Sequence, residues 1–192
     1  MDFQTEAYAP FSARLKHIYA DMDQAWETAA THYGFHCDGC ADNCCLTLFY
    51  HHTWLEYLCI REGFEALLPD VREAVTARAA EVRVNVGEAE KTGQPLRFMC
   101  PLNTDGLCQI YSHRPMICRL HGIAHELHPP GRDVVYGPGC GAFTAQTDGM
   151  DYFRFDRTPF YVAMSRLESE LKAALGISDR IKMTIAEMIG TF

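Results

Sequence analysis

Apolar residues recur at helical spacing through the first part of the chain. Between Phe11 and Tyr33 they fall at Leu15, Ile18, Tyr19, Met22, Trp26, Ala29 and Tyr33, and Gly34 follows as a stop, which predicts an amphipathic helix over 11–34. Thr53-Trp54-Leu55-Glu56 has the form of a capping box and predicts a helix from Trp54 to Glu62, ended by Gly63. Val71, Val75, Arg78/Ala79, Val82, Val86 and Ala89 trace one side of a long helix from Asp70 to Thr92, with Gly93 and Pro95 closing it. Thr158-Pro159 opens another helix through Leu175, and Ser178 is expected to cap a last one reaching Ile189, so that helices flank the centre over 158–189 as well. The expected fold is mainly α: a helical bundle enclosing an irregular cysteine-rich metal-binding centre with a small β-hairpin. A single domain over 1–192 is expected, with its metal-ligand region over 36–140.

Helical periodicity fails in two stretches, and cysteines concentrate in both. His36-Cys37-Asp38-Gly39-Cys40-Ala41-Asp42-Asn43-Cys44-Cys45 holds four thiols in one short Gly- and Asp-containing loop. From Pro95 onward, two short apolar runs around Asp105-Gly106 predict a hairpin with Cys100 and Cys108 on its arms. Pro115 is expected to start one helical turn that delivers Cys118. The Gly- and Pro-rich segment to Cys140 reads as irregular, with Gly137-Pro138-Gly139-Cys140-Gly141 a loop bending back to offer the last thiol.

Composition narrows the role of these thiols. With 192 residues, 48% of them hydrophobic, the chain buries a core without needing crosslinks to fold. The N-terminus lacks a basic region followed by an apolar run, and no apolar segment is long enough to span a bilayer, so a cytoplasmic protein with no membrane partner is expected. In that reducing compartment nine cysteines, an odd number, favour metal ligation over disulfides. The net charge of -8 and the absence of a basic stripe argue against nucleic acid.

The candidate metal ligands are Cys37, Cys40, Cys44, Cys45, Cys100, Cys108, Cys118 and Cys140. A C-x2-C pair such as Cys37 and Cys40 brings two thiolates onto one metal in both zinc and iron-sulfur centres. Neighbouring side chains such as Cys44 and Cys45 point in separate directions, so one tetrahedral ion rarely takes both. The pair suggests two centres sharing the loop, one polynuclear cluster, or a ligand beside a structural thiol. Cys59 falls inside a predicted helix and reads as a small buried residue. His36, His51, His52 and His121 are additional candidate ligands, His121 more in a supporting role. Arg114 and Arg119 flank Cys118 and offset thiolate charge, or else pair with Asp105 or Asp133. No Ser/His/Asp triad, H-E-x-x-H or paired-carboxylate pattern is present, and no catalytic residue is assigned.

The pattern Cys37-x2-Cys40-x3-Cys44-Cys45, followed by Cys100 and by Cys108-Gln109-Ile110-Tyr111-Ser112-His113-Arg114-Pro115-Met116-Ile117-Cys118-Arg119, resembles the YkgJ-like cysteine-cluster proteins, described as a zinc- or iron-chelating domain. The resemblance covers roughly the middle half of the chain and implies a metal-binding domain with no settled activity. Cys40-Ala41-Asp42-Asn43-Cys44-Cys45 is also similar to the first cysteine run of flagellin lysine methylases, a likeness that implies an iron-sulfur cluster. The chain departs from the family pattern after Arg119, where Leu120-His121-Gly122 replaces an aromatic residue and proline. The expected cofactor is an iron-sulfur cluster of the 4Fe-4S type, with zinc the alternative. The expected role is electron transfer, metal handling or sensing. The alternatives are a metal-dependent enzyme that modifies a protein or peptide by methyl transfer or redox chemistry, and a zinc-stapled interaction module. The protein partner or substrate is unassigned.

Overall fold

A computed structural model describes residues 5–37 and 44–192, so Cys40 lies outside the described residues. The chain is mainly helical, with seven α-helices and two small antiparallel sheets among the described residues. It divides into two compact units, one formed by residues 1–42 and 116–177 and the other by 43–115 and 178–192. Among the described residues, no helix is long and apolar enough to cross a membrane.

In the first unit, α1 (Thr5–Tyr33) begins ahead of the expected Phe11 and takes Pro10 into its early turns. A proline this close to the N-terminus removes only one intrahelical bond. Leu15, Tyr19, Met22, Ala29 and Tyr33 form its buried stripe, as the periodicity predicts. That stripe meets α4 (Met116–Leu120) and α6 (Thr158–Leu175), whose Met164, Leu167 and Leu171 are buried. Arg119 of α4 is itself buried, with its guanidinium 4.2 Å from the centre of the Tyr19 ring and paired with Asp23. This corrects the expected partners Asp105 and Asp133.

The segment read as irregular contains a second hairpin. β3 (His125–Leu127) pairs antiparallel with β4 (Val135–Gly137), Glu126 opposite Tyr136. Only three residues of each strand pair, too few for alternation to register in a sequence dominated by Pro129, Pro130 and Gly131. A short helix, α5 (Gly141–Gln146), follows, and Cys140 is its N-cap.

The second unit packs α2 (Trp54–Glu65), α3 (Pro69–Thr92) and α7 (Ile185–Ile189). Thr53 caps α2 as predicted, its hydroxyl accepting from the Glu56 N–H at 3.2 Å. Gly63 does not end this helix. A Cβ there would lie 2.8 Å from the His113 ring, so this glycine provides room for close packing, and the helix continues to Glu65. Gly93 closes α3 in the left-handed conformation (φ 68°), as expected.

The expected helix from Ser178 is instead an extended approach followed by a short helix. Met183 exchanges backbone hydrogen bonds with His51 (2.8 and 3.0 Å), and the Trp54 indole donates to the Asp179 carbonyl (3.2 Å). These contacts hold 179–183 extended until Thr184 and Glu187 form a reciprocal capping box at the start of α7.

Candidate metal centre

Within the second unit, three chain segments bring four cysteines together. Cys44 and Cys45 lie in a single 3-10 turn (Cys44–Leu46), and the Cys45 carbonyl accepts the Cys100 N–H at 2.8 Å. The Cys100 carbonyl in turn accepts the Asn103 N–H at 2.9 Å. Asn103 begins β1 (Asn103–Thr104) and stands opposite Cys108 on β2 (Leu107–Cys108). Cys100 therefore precedes its hairpin arm instead of lying on it, while Cys108 sits on the arm as expected. Asp105 (φ 52°) and Gly106 (φ 84°) both take positive φ, the conformation that a two-residue Asp-Gly hairpin turn demands.

Cys45, Cys100 and Cys108 differ in how they hold their protons. Contact with Cys44, then the Asn103 side chain and the positive field of Arg114, lowers the Cys45 thiol to about 6. Burial pushes Cys100 up to about 12, and burial also raises Cys108. Arg114 and Arg78 act against these shifts at Cys108 and Cys100 respectively. Arg78 is held by its own bonds to the Pro101 carbonyl (3.0 Å) and the Thr104 hydroxyl (3.3 Å). Arg114 lies over the Tyr111 ring at 3.6 Å.

This environment fits a thiolate-bound metal. The Asn103 Nδ2 is buried and has no full hydrogen-bond partner among the described residues, while Oδ1 accepts the Gly106 N–H at 3.1 Å. The amide contact already favours the Cys45 thiolate but falls short of a full hydrogen bond. An amide donor beside the Cys45 sulfur is compatible with a metal-bound thiolate there, since N–H···S contacts of this type tune sulfur-ligated centres.

Metal uptake by these thiols must expel protons, and the direction follows from the shifts. Cys100 and Cys108 remain protonated through neutral pH, whereas Cys45 has already ionised above about 6. Zinc titration of the metal-free protein at about pH 7.5 is expected to release at least two protons per zinc, with affinity rising as pH rises. The same raised thiols destabilise the metal-free fold as pH climbs past the ordinary thiol value, because the unfolded chain then releases protons that the folded one retains. Proton release measured in weakly buffered solution checks the first expectation; release of less than one proton would contradict it.

Cys37, Cys118 and Cys140 belong to the first unit, and Cys59 to the second. Cys37 is exposed just beyond α1, on a cleft of about 310 Å³ lined in part by Trp26, Ala30, Phe35 and His36. His36 is held in both directions by Gln146, whose side chain accepts the His36 N–H (3.1 Å) and donates to its carbonyl (3.0 Å). Cys140 starts α5 with its sulfur accepting the Phe143 N–H at 3.4 Å, and its own N–H reaches the Gly122 carbonyl at 2.8 Å. Cys118 is half-buried on α4, immediately before the turn containing Gly122. Of the histidines, His121 accepts the Trp26 indole N–H through its carbonyl (2.8 Å), and His52 is exposed. His51 is buried at the entry to α2, its Nδ1 3.8 Å from Glu56. Cys59 is buried inside α2 with its sulfur 4.0 Å from the His113 carbonyl.

Two contributors at the thiols escaped the sequence reading. Arg78 falls on the apolar stripe of α3, where a charge within a packing face is the one available signal. Asn103 reads simply as part of an Asn-Thr-Asp-Gly turn.

Comparison with known proteins agrees with the sulfur chemistry. The family model CxxCxxCC, described as a putative zinc- or iron-chelating domain, matches residues 36–132, about half of the chain. No curated protein and no solved structure matches. Three residues, not two, separate Cys40 from Cys44, and Cys140 lies beyond the matched stretch. The seven cysteines from Cys37 to Cys118, other than the helix-buried Cys59, all fall within it, and the chain belongs to this zinc- or iron-chelating family of metal-binding proteins.

Proposed function

We propose that Cys44, Cys45, Cys100 and Cys108 hold an iron-sulfur cluster of the 4Fe-4S type, in a cytoplasmic protein acting in electron transfer, metal handling or sensing. The observation that carries this reading is the convergence of four cysteines from three chain segments, two of them the adjacent pair Cys44 and Cys45. One tetrahedral ion rarely takes both members of the adjacent Cys44-Cys45 pair, whereas a polynuclear cluster accommodates them.

When bound, such a cluster supplies one-electron chemistry. The chain supplies the rest. Arg78 and Arg114 offset the negative charge of the thiolates, the Asn103 amide donates toward the Cys45 sulfur, and burial of Cys100 and Cys108 lowers the local dielectric. Cys37, Cys118 and Cys140, in the first unit, are available to a second metal, with Cys40 a further candidate from the sequence alone.

Protein purified anaerobically is expected to be brown and to contain both iron and acid-labile sulfide. Colourless protein from anaerobic cells, loaded stoichiometrically with zinc and free of iron and sulfide, would overturn the cluster in favour of zinc, whose filled d shell gives no colour.

A further inference from the structure

Away from every cysteine, the first unit gathers a different set of metal-binding atoms. Among the described residues, Glu126, His128 and Asp156 are the one group of three or more His, Cys, Asp or Glu side chains whose ligand atoms all lie within 4.8 Å of one another. The His128 Nε2 is 2.8 Å from Glu126 Oε1 and 3.8 Å from Asp156 Oδ2. We infer that these three side chains form a cation site for one first-row divalent ion, whose place the Arg154 guanidinium takes when the ion is absent.

The backbone fixes these ligands before any ion arrives. Glu126 forms a parallel bridge with Asp156: its N–H donates to the Phe155 carbonyl and its carbonyl accepts the Arg157 N–H, both at 3.0 Å. The His128 N–H donates to the Thr158 hydroxyl at 2.7 Å, and Asp156 Oδ1 accepts the Thr158 N–H at 2.8 Å. Asp156 Oδ2 is thereby left facing His128. The ligands thus stand on two paired segments, tied to Thr158 at the start of α6, so binding does not have to order them first.

Charge explains why a cation belongs there. The Glu126 side chain is 6% exposed, and a buried carboxylate requires a positive partner. Arg154 provides one, with Nε 2.7 Å from Glu126 Oε1 and NH2 3.7 Å from Asp156 Oδ2. Yet its side chain is 70% exposed, and it reaches inward from solvent. Two carboxylates with one guanidinium carry a net charge of -1. A divalent ion with neutral His128 brings the group to zero, while Arg154 returns to water where its charge is best solvated. Two carboxylate oxygens and one imidazole nitrogen suit manganese, iron(II), cobalt or zinc, with coordination positions left over for water.

Manganese(II) is the appropriate probe, because thiolates prefer softer metals. The protein, with its thiols loaded as isolated, is titrated with Mn(II) and followed by electron paramagnetic resonance. One bound ion per chain is expected, with the nitrogen coupling of a single imidazole in the spin-echo envelope. His128→Ala should abolish that coupling and weaken binding by at least about tenfold, as should Asp156→Asn. Cys45→Ser should leave Mn(II) binding unchanged, and Arg154→Ala should strengthen it by removing the competitor. His128 and Arg154 are both partly exposed, and circular dichroism establishes that these variants remain folded. The site is refuted if neither the parent nor Arg154→Ala binds Mn(II), or if the bound ion shows no nitrogen coupling. In either case the four residues form a charge network only.

Discussion

Replacing Cys100 by serine is expected to strip the metal from the second unit, whereas Cys59→Ala leaves the metal content unchanged. Cys100 is the most strongly desolvated of the clustered thiols, its proton held up to about 12, and its N–H ties the segment to Cys45. Serine preserves that backbone bond and most of the volume but substitutes a hard, weakly acidic oxygen for a soft sulfur. The loss of affinity should exceed the roughly 10–100-fold seen when groups behind the ligands are changed. Cys59 is buried at 1% exposure inside α2, so its truncation should cost about 1 kcal/mol through a small cavity and nothing in metal. Elemental analysis of anaerobically prepared variants, with thermal melts alongside, separates the two outcomes. Equal metal loss in both would mean that the ligand set is misassigned.

Gly139→Ala should be the most damaging single-methyl change in the first unit. An added Cβ would come within 2.2 Å of the Phe143 ring and 2.6 Å of the Gly122 carbonyl oxygen. The ring has no easy retreat, since it is buried edge-on against both Tyr33 (4.9 Å) and Phe35 (5.3 Å). The carbonyl is backbone and is already accepting the Cys140 N–H. A cost of about 3 kcal/mol is expected from this overpacking, a fall in Tm of roughly 6–12 °C for a chain of this length. Gly87→Ala is the informative control. It lies within α3 with nothing within 4 Å of the new methyl, and helix propensity favours alanine there by about 0.5–1 kcal/mol. Calorimetry should therefore record shifts of opposite sign, and a stabilised Gly139→Ala would contradict the packing described around Cys140.

The long helices were legible in the sequence because each buries a continuous stripe. The Leu15–Tyr33 and Val75–Ala89 repeats each led to a helix, and Gly93 stopped one where expected. Where the reading went astray, long-range contacts overrode a local signal. Gly63 has the composition of a stop but exists to admit His113, fifty residues away. Ser178 has the composition of a cap, but the 179–183 segment is held extended by pairing with His51 and Trp54. The second hairpin is too short to leave a pattern. At the candidate site, cysteine spacing marked the donors, while the groups that set their acidity, Asn103, Arg78 and Arg114, are brought there by the fold and only Arg114 stands beside a cysteine motif.

The second unit is discontinuous, with residues 43–115 completed by 178–192. During synthesis Cys44, Cys45, Cys100 and Cys108 emerge from the ribosome long before α7 and the Met183 strand that pairs with His51. The four thiols must wait while more than sixty intervening residues are translated, at about 5–20 residues per second a delay of several seconds. Over that interval they are donors on an unfinished scaffold, open to whichever soft metal reaches them first. A chain interrupted before residue 178 would carry these four sulfurs without the helix that completes their unit.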